Sequence, residues 1–538
     1  MSGRLGRTFS SSLLAGDPRA SALLARDFRD VAARRDATRA AAARRSPAEL
    51  LAVLAEQQAR LPPSAAREAN LAALGAGAAV VVTGQQVGLF LGPAYSFYKA
   101  ASAIAVARAL EAEAGVRVVP LFWLQTEDHD FAEIASCTVA VADGAPATLA
   151  LAPEPASDAR VSLAHRRLGP EVDALVGALG DALGDAPHAA EVVALVRAAY
   201  VAGRAPGEAF ARLLAEIFAD EGLLVLDPRD ARVAALAAPL YRRALDGAEA
   251  LERGLRARGD ALAAGGWDEQ IPVRAGCSLV FFHERDARGP RFRLRREDGR
   301  WRLASGPEAR AIDDAALAEA LARDPLRFST SALLRPVVQD ALLPTAAYVG
   351  GPAEVSYFAQ LAPVYEGLGV PQPLVVPRAR FRVLDTPTRR RLAQLGLGAD
   401  EACGPRAELL ARLGAGGPTP AALDVRQRIL PAVEELTRAA ASAQPGLERA
   451  AARTRATVER ALTRFVERYA RGRHERDDVV TSRLDAVRRA LAPDGVPQER
   501  AYGWPSLAAR HGARAFKALV LERLARDPFP TALQELEP

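Results

Sequence analysis

Five titratable side chains, Glu127, Asp128, His129, Asp130 and Glu133, fall within seven residues of one another in the segment TEDHDFAEI (Thr126–Ile134). They directly follow the apolar run VRVVPLFWLQ. Carboxylates on both sides of a histidine raise its pKa and hold its ring, which suits a general base or a group gripping an ammonium. Part of the cluster also reads as an acidic helix start, with Asp130 or Thr126 as cap and Glu133 closing a capping box. A Mg²⁺ site is a third reading, but carboxylate density alone assigns no metal ligand.

A second group of polar residues lies in TGQQVGLFLGPAYSFYK, Thr83–Lys99. Thr83, Gln85 and Gln86 offer hydrogen bonds, and Gly84, Gly88 and Gly92 let the backbone approach a ligand. Pro93 suits the first turn of a helix whose free N–H groups attract anions. Tyr95 and Lys99, four residues apart, share one helix face. The chain has only two lysines, Lys99 and Lys517, among 70 basic residues, which marks Lys99 as a candidate point charge on a phosphate. The bland alternative is a tight turn followed by a surface lysine. A third segment runs from Ser331 to Phe358, where Gly350-Gly351-Pro352 follows an apolar run. Glu354 would lie in the first turn of the next helix with Tyr357 one turn on, while Arg335 and Gln339, at i and i+4, could face the cleft.

The elements around these segments explain their positions. AAVVVTGQQ reads as a strand, Gly92-Pro93 opens a helical stretch through Leu110, and VRVVPLFWLQ is a second strand. Continuously apolar strands joined by a helix indicate a parallel sheet covered on both faces. GLLVLD (Gly222–Asp227) and PLVVP (Pro373–Pro377) supply further strands, giving a doubly wound α/β core whose ligands belong at the carboxyl ends of the strands. Residues 1–75 predict short helices between prolines. The core is expected over 76–390, with a helical insertion at about 140–215 and a small antiparallel β insertion at about 277–304. A helical domain follows over 391–495. Within Asp424–Leu491, the spacing of Leu447, Ala451, Thr454, Val458, Leu462, Phe465 and Tyr469, and of Val480, Leu484, Val487 and Leu491, predicts two antiparallel helices with heptad-like seams. Residues 496–538 form a tail expected to pack on the core.

Composition excludes other classes. The net charge of +5 is spread over 538 residues, too thin for the concentrated basic face of a nucleic-acid binder. No apolar run is long enough for a membrane span, and no targeting segment is evident. Cys137, Cys277 and Cys403 are far apart, without a CxxC pair, which fits a reducing cytoplasm. GxxxxGK[ST], GxGxxG, HExxH and GxSxG are all absent. The remaining histidines (His165, His188, His283, His474 and His511) lack carboxylates at ligand spacing and read as structural or exposed.

Taken together, TGQQxGLxxGPxYxxxK, PxFWxxxEDHDFAEI, RPxxQDxxxPTxAYxGGPxExxYFxQL and the later PQER (Pro497–Arg500) resemble the cysteine ligase (cysteine-adding enzyme) family of bacillithiol biosynthesis. The resemblance implies a Rossmann-type doubly wound core related to class I aminoacyl-tRNA synthetases, with inserted connecting segments. It also implies a C-terminal α-helical coiled coil that makes a homodimer. The implied reaction is the last step of bacillithiol synthesis, joining the cysteine carboxylate to the amine of glucosaminyl-malate. Amide formation from a free carboxylate is uphill, so ATP is the expected co-substrate, with a magnesium requirement left open.

On that reading Lys99 and Arg335 would offset phosphate charge, and Asp128 or His129 would hold and deprotonate an amine. Thr83, Gly84, Gln85, Gln86, Gly92, Pro93, Tyr95, Glu127, Asp130, Gly350, Gly351 and Glu354 would line the substrate or nucleotide site. Two other classes remain open: a nucleotidyltransferase-like ligase for a different amine and acid, and a non-catalytic coiled-coil scaffold for the true ligase. Accumulation of a different precursor would mark the first. Activity that survives loss of the core side chains but not of residues 424–491 would mark the second.

Overall fold

The strands β1 (Ala79–Gln85) and β2 (Val118–Leu124) are buried along almost their whole lengths, as apolar runs in a doubly covered sheet must be. They pair in parallel from Ala79 opposite Val118 to Gln85 opposite Leu124. The crossover between them is the Tyr95–Ala114 helix, which stops at Gly115 in the left-handed region, φ +70°. Next, β3 (Ser136–Ala140) and β4 (Pro146–Ala150) form an antiparallel hairpin, and β5 (Leu224–Leu226) joins the parallel sheet beside β2. A second, antiparallel sheet contains β6 (Cys277–His283), β7 (Arg291–Glu297), β8 (Arg300–Leu303), β9 (Ala311–Ile312) and β10 (Phe328–Thr330), in the order β10-β6-β7-β8-β9. The parallel sheet is completed by β11 (Thr345–Gly350) and β12 (Leu374–Pro377), in the order β12-β11-β1-β2-β5. The chain therefore moves outward from β1 through β2 to β5, then returns to the other side of β1. The crevice at that reversal is where open α/β sheets bind ligands.

This computed structural model describes residues 8–141, 145–155, 159–303, 310–413, 420–444, 447–474 and 478–538. Two compact units are present: residues 3–382 with 502–536 and 538, and residues 383–501 with 537. In the first, N-terminal helices such as Val31–Ala42, Ala48–Ala59 and Ala65–Ala76 pack on the parallel sheet, placing Leu50, Val53 and Leu54 in its core. No described helix is long and apolar enough to cross a membrane.

Two expectations need correction. The stretch expected as helical from residue 140 begins with the end of the β3–β4 hairpin, and its helices, Glu171–Leu183, Ala189–Ala199 and Pro206–Ile217, start some thirty residues later. The hairpin strands are five residues each and bury only alternate positions, Cys137, Val139 and Leu149. In an Ala-rich chain so short an alternation is masked. Among the described residues between 420 and 491 the second unit contains three helices rather than two, Pro420–Ala443, Glu448–His474 and Asp478–Leu491. The first two pack on each other, whereas Leu484, Val487 and Leu491 bury against Leu392, Leu395 and Leu409. The two seams therefore serve different partners. Ala451, Val458 and Leu462 of the expected stripe are half-buried, but at its far end Val466 is buried in place of Phe465, which is 63% exposed.

Candidate active site

Gln85 and Gln86 stand at the carboxyl end of β1 and reach in different directions. Gln85 Oε1 accepts from Lys99 Nζ at 2.8 Å, whereas Gln86 Nε2 donates to Asp128 Oδ2 at 2.8 Å. Two polar clusters therefore meet at adjacent residues.

The first cluster surrounds Asp128. Its Oδ1 accepts from Arg291 Nη2 at 2.5 Å and from the His129 backbone N–H at 2.7 Å. Arg291 Nε also donates to His129 Nδ1 at 2.9 Å, and Asp128 Oδ1 lies 3.3 Å from that same ring nitrogen. Burial pushes the Asp128 carboxyl up, but the bonds from His129, the Arg291 guanidinium and Gln86 outweigh it and hold the group well below the usual carboxylate range. Asp128 is thus a fixed negative charge. The Arg291 Nε–H points at Nδ1, so in this arrangement Nδ1 is the acceptor. Nε2 then carries the proton, and a tautomer with Nδ1–H facing Asp128 and a free Nε2 lone pair requires Arg291 Nε to turn away from the ring. The expected flanking of His129 by carboxylates is corrected here, because an arginine from β7 fills one side of the ring.

The rest of the acidic segment makes contacts within the fold. Glu127 Oε2 accepts from Thr330 Oγ1 at 2.7 Å. Thr126 donates its hydroxyl to Asp227, whose carboxyl is pushed up by burial in spite of that bond. Asp130 Oδ1 accepts from Glu133 N at 3.2 Å and caps the Phe131–Ile134 helix, so the capping reading holds for this residue. Burial, and then Asp130, push the Glu133 carboxyl up.

The second cluster is sealed inside the protein. Lys99 is 2% exposed, and its ammonium donates to Gly84 O at 2.7 Å, to Gln85 Oε1 and to the Glu354 carboxylate. Burial pulls Lys99 down while Glu354 holds it up; Glu354 itself stays low because Lys99, the Tyr348 hydroxyl and the Gly351 N–H outweigh its own burial. Arg335 is 4% exposed and donates to Gln339 Oε1 at 2.8 Å, Tyr357 Oη at 3.0 Å and Tyr348 Oη at 3.2 Å. The ammonium of Lys99 and the guanidinium of Arg335, both expected to offset phosphate charge, face internal acceptors in this structure. Arg335 and Gln339 face each other in the core rather than the cleft.

Other expected site residues divide along the same lines. Thr83 is fully buried, and its hydroxyl ties β1 to β11 through Val349 O at 2.8 Å. A Cβ on Gly84 would stand 2.8 Å from the Trp123 carbonyl, so this position requires glycine for close strand approach. Phe90, Leu91 and Gly92 have successive positive φ values of 51°, 73° and 63°, a costly run for non-glycine residues. Tyr200 clamps it, its hydroxyl meeting Leu91 N and Gly88 O at 3.2 Å each. Pro93 bridges Gly503, and Ala94 N donates to Tyr502 O at 2.8 Å. At the start of the Tyr95–Ala114 helix the Ala94 N–H is therefore taken by the chain itself. The Tyr95 ring lies 5.6 Å from the Arg378 guanidinium. Gly350 O accepts from Arg378 N at 2.8 Å, and Gly351 N donates to Glu354 Oε2 at 2.7 Å.

Sequence reasoning missed Arg291 and Arg229. Arg229 Nη2 lies 3.2 Å from His283 Nε2, while His283 Nδ1 meets Gly289 O at 2.7 Å. Burial, and then Arg229, depress His283 to about 3 and His165 to about 4. His283 is thus the neutral acceptor that orients a buried arginine beside the acidic segment.

Comparison with known proteins bears on this site. Residues 7–379 match the family described as bacillithiol biosynthesis BshC, N-terminal Rossmann-like domain. Residues 384–527 match the BshC C-terminal coiled-coil domain. A relative from Koribacter versatilis, named "Putative cysteine ligase BshC", is 33% identical over 86% of this chain and 85% of its own length. One of the same name from Solibacter usitatus is 33% identical over 83% of each chain. Another, from Salinibacter ruber, is 36% identical over 59% of this chain and 56% of its own.

Proposed function

This chain belongs to the BshC family of bacillithiol biosynthesis, and from that premise we propose that it is the ligase that adds cysteine to the amine of glucosaminyl-malate. The observation that carries the reading is the Asp128–Arg291–His129–Gln86 constellation at the carboxyl ends of β1 and β2. The fixed Asp128 carboxylate attracts an ammonium. Once Arg291 Nε turns from the ring and leaves Nδ1–H facing Asp128, His129 Nε2 takes a proton from that ammonium. The freed amine lone pair attacks the activated cysteine acyl carbon, the activated carboxylate oxygen leaves, and the second amine proton passes to solvent. The resulting imidazolium is stabilised by Asp128, and Gln86 and Arg291 keep that carboxylate in place.

ATP is the proposed activating co-substrate, since the carboxylate oxygen must leave as a stabilised anion. No phosphate contact is assigned to Lys99 or Arg335, whose donors are engaged internally. The reaction is placed in the cytoplasm, which suits a protein whose three cysteines are free. A homodimer through the helical unit is proposed on the exposure of Leu436 (71%) and Phe465 (63%) on its two long helices.

The test is incubation of the pure protein with L-cysteine, glucosaminyl-malate and ATP, following labelled thiols by mass spectrometry. Bacillithiol should appear with wild type and be lost in His129→Ala and Asp128→Asn proteins that remain folded. Wild-type yields from both variants would overturn the assignment. Deleting the gene should also remove bacillithiol and accumulate glucosaminyl-malate, and an unchanged thiol profile would overturn the substrate.

A further inference from the structure

Beside Asp128 and Arg291 lies a cavity of about 210 Å³, reached between β6, β7 and the Ser331–Leu333 segment. Arg291 and Arg293 are alternate residues of β7 and so share a face. Phe281 of β6 is paired with Arg293, and both guanidinia lie over its ring, at 4.5 Å for Arg291 and 5.2 Å for Arg293. The arginine row thus leads from the candidate catalytic pair into the cavity.

What distinguishes the cavity is what its polar groups lack. Arg291 is engaged by Asp128 and His129, and the lining carboxylate Glu252 already accepts from Gly276 N at 2.7 Å and Arg256 Nε at 2.8 Å. Arg293 and the exposed Arg274 have no carboxylate partner among the described residues; the groups acting on Arg293 are its neighbour Arg274 and the Cys277 thiol. Ser331, only 8% exposed, lines the same cavity with a hydroxyl that has no hydrogen-bond partner. Two like-charged guanidinia and one idle hydroxyl against apolar Leu279 and Leu333 form a site short of an anion. Guanidinium forks match carboxylates in two-pronged geometry. Whole drug-sized ligands occupy roughly 300–1,000 Å³, so this space suits one end of a substrate rather than a nucleotide.

We propose that this cavity holds the dicarboxylate end of the amine substrate, with Arg293 and Arg274 on its carboxylates and Ser331 as a further donor. The assignment rests on the ligase reading, in which the amine of the same molecule lies against Asp128 and His129. It makes Arg293 and Arg274 specificity residues for the acid that the sugar amine carries.

The experiment is titration calorimetry of the full chain with glucosaminyl-malate, with L-malate alone, with a methyl glucosaminide that lacks carboxylates, and with inorganic phosphate. Loss of one charge-assisted contact corresponds to about tenfold to a hundredfold in affinity. Arg293→Gln should weaken glucosaminyl-malate by that factor, and Arg274→Gln/Arg293→Gln should abolish L-malate binding. The methyl glucosaminide should bind wild type and double variant alike, which also shows that the variant is folded. In turnover the loss should fall on KM for glucosaminyl-malate and leave KM for cysteine unchanged.

Unchanged malate and glucosaminyl-malate affinities in the double variant would overturn the subsite even if bacillithiol is made. Phosphate binding more tightly than malate with the same arginine dependence would overturn the carboxylate assignment. Malate binding that needs both arginines, in a protein that makes no bacillithiol, would sustain the subsite while the ligase reading falls.

Discussion

Replacing Lys99 by methionine separates a buried anchor from a phosphate ligand. Lys99→Met keeps the length of the side chain but removes three donors at once: those to Gly84 O (2.7 Å), to Gln85 Oε1 (2.8 Å) and to Glu354. Glu354 keeps the Tyr348 hydroxyl and the Gly351 N–H, but loses the cation that compensates its burial. Removing one partner of a buried ion pair costs about 3–5 kcal/mol, a large share of the roughly 5–15 kcal/mol that holds a domain folded. With a urea slope of about 3 kcal/mol/M, the midpoint should fall by about 1 M or more.

All four tryptophans, Trp123, Trp267, Trp301 and Trp504, lie in the unit that contains Lys99, so their fluorescence follows that unit alone. The double variant Lys99→Met/Glu354→Gln should recover about 1–3 kcal/mol of the loss, because the uncompensated charge is gone. A Lys99→Met protein with the wild-type midpoint, impaired only in its response to ATP, would refute this reasoning and return Lys99 to the role of a free phosphate ligand.

Asp128 should remain ionised below the usual carboxylate range, so the pH profile of kcat/KM should show no acid limb from Asp128 above about pH 4. Arg291→Gln should move such a limb upward, and an unaltered profile would detach Arg291 from Asp128. His283, fully buried and depressed to about 3, binds a proton in the unfolded chain before it does so in the folded one. Its share of stability is therefore complete above about pH 6.5 and falls on acidification toward pH 3, by up to about 1.4 kcal/mol per pH unit. Urea midpoints measured between pH 7 and 4 should show this fall, reduced in His283→Asn. Gly84→Ala should cost about 1–3 kcal/mol, since its Cβ would meet the Trp123 carbonyl at 2.8 Å; calorimetric unfolding at the wild-type temperature would contradict the close strand approach.

The parallel sheet could be read from the sequence because AVVVTGQ and VVPLFWL are unbroken apolar runs that only a doubly covered strand tolerates. The same holds for the turns after β1 and β11, where glycine marks the crossings. Arg291 could not be read in the same way. It lies 162 residues from His129, on a strand with arginine at alternate positions, in a chain that uses arginine everywhere. Nothing local distinguishes it from Arg295, which pairs with a surface glutamate. Lys99 stood out by its rarity, but the sequence gives no measure of burial, and its glutamate partner comes from beyond β11. The helical seam shows a further limit: spacing by threes and fours fixed a stripe, not which helix would cover it.

The loop between β1 and the Tyr95–Ala114 helix has a consequence for how the protein is made. Its backbone takes an unfavourable course through Phe90, Leu91 and Gly92, and it is pinned by Tyr200 and by Tyr502 and Gly503. The ribosome releases Pro93 some 400 residues before Gly503, roughly 20–80 s at ordinary elongation rates. During that interval the parallel strands up to β12 can pair, but the turn that presents Gln85 and Gln86 lacks its last clamp. The site is thus finished by the end of the chain, after the entire helical unit has been synthesised. A chain truncated before residue 502 would keep the strands of the parallel sheet but lack the contacts that Tyr502 and Gly503 make with this loop.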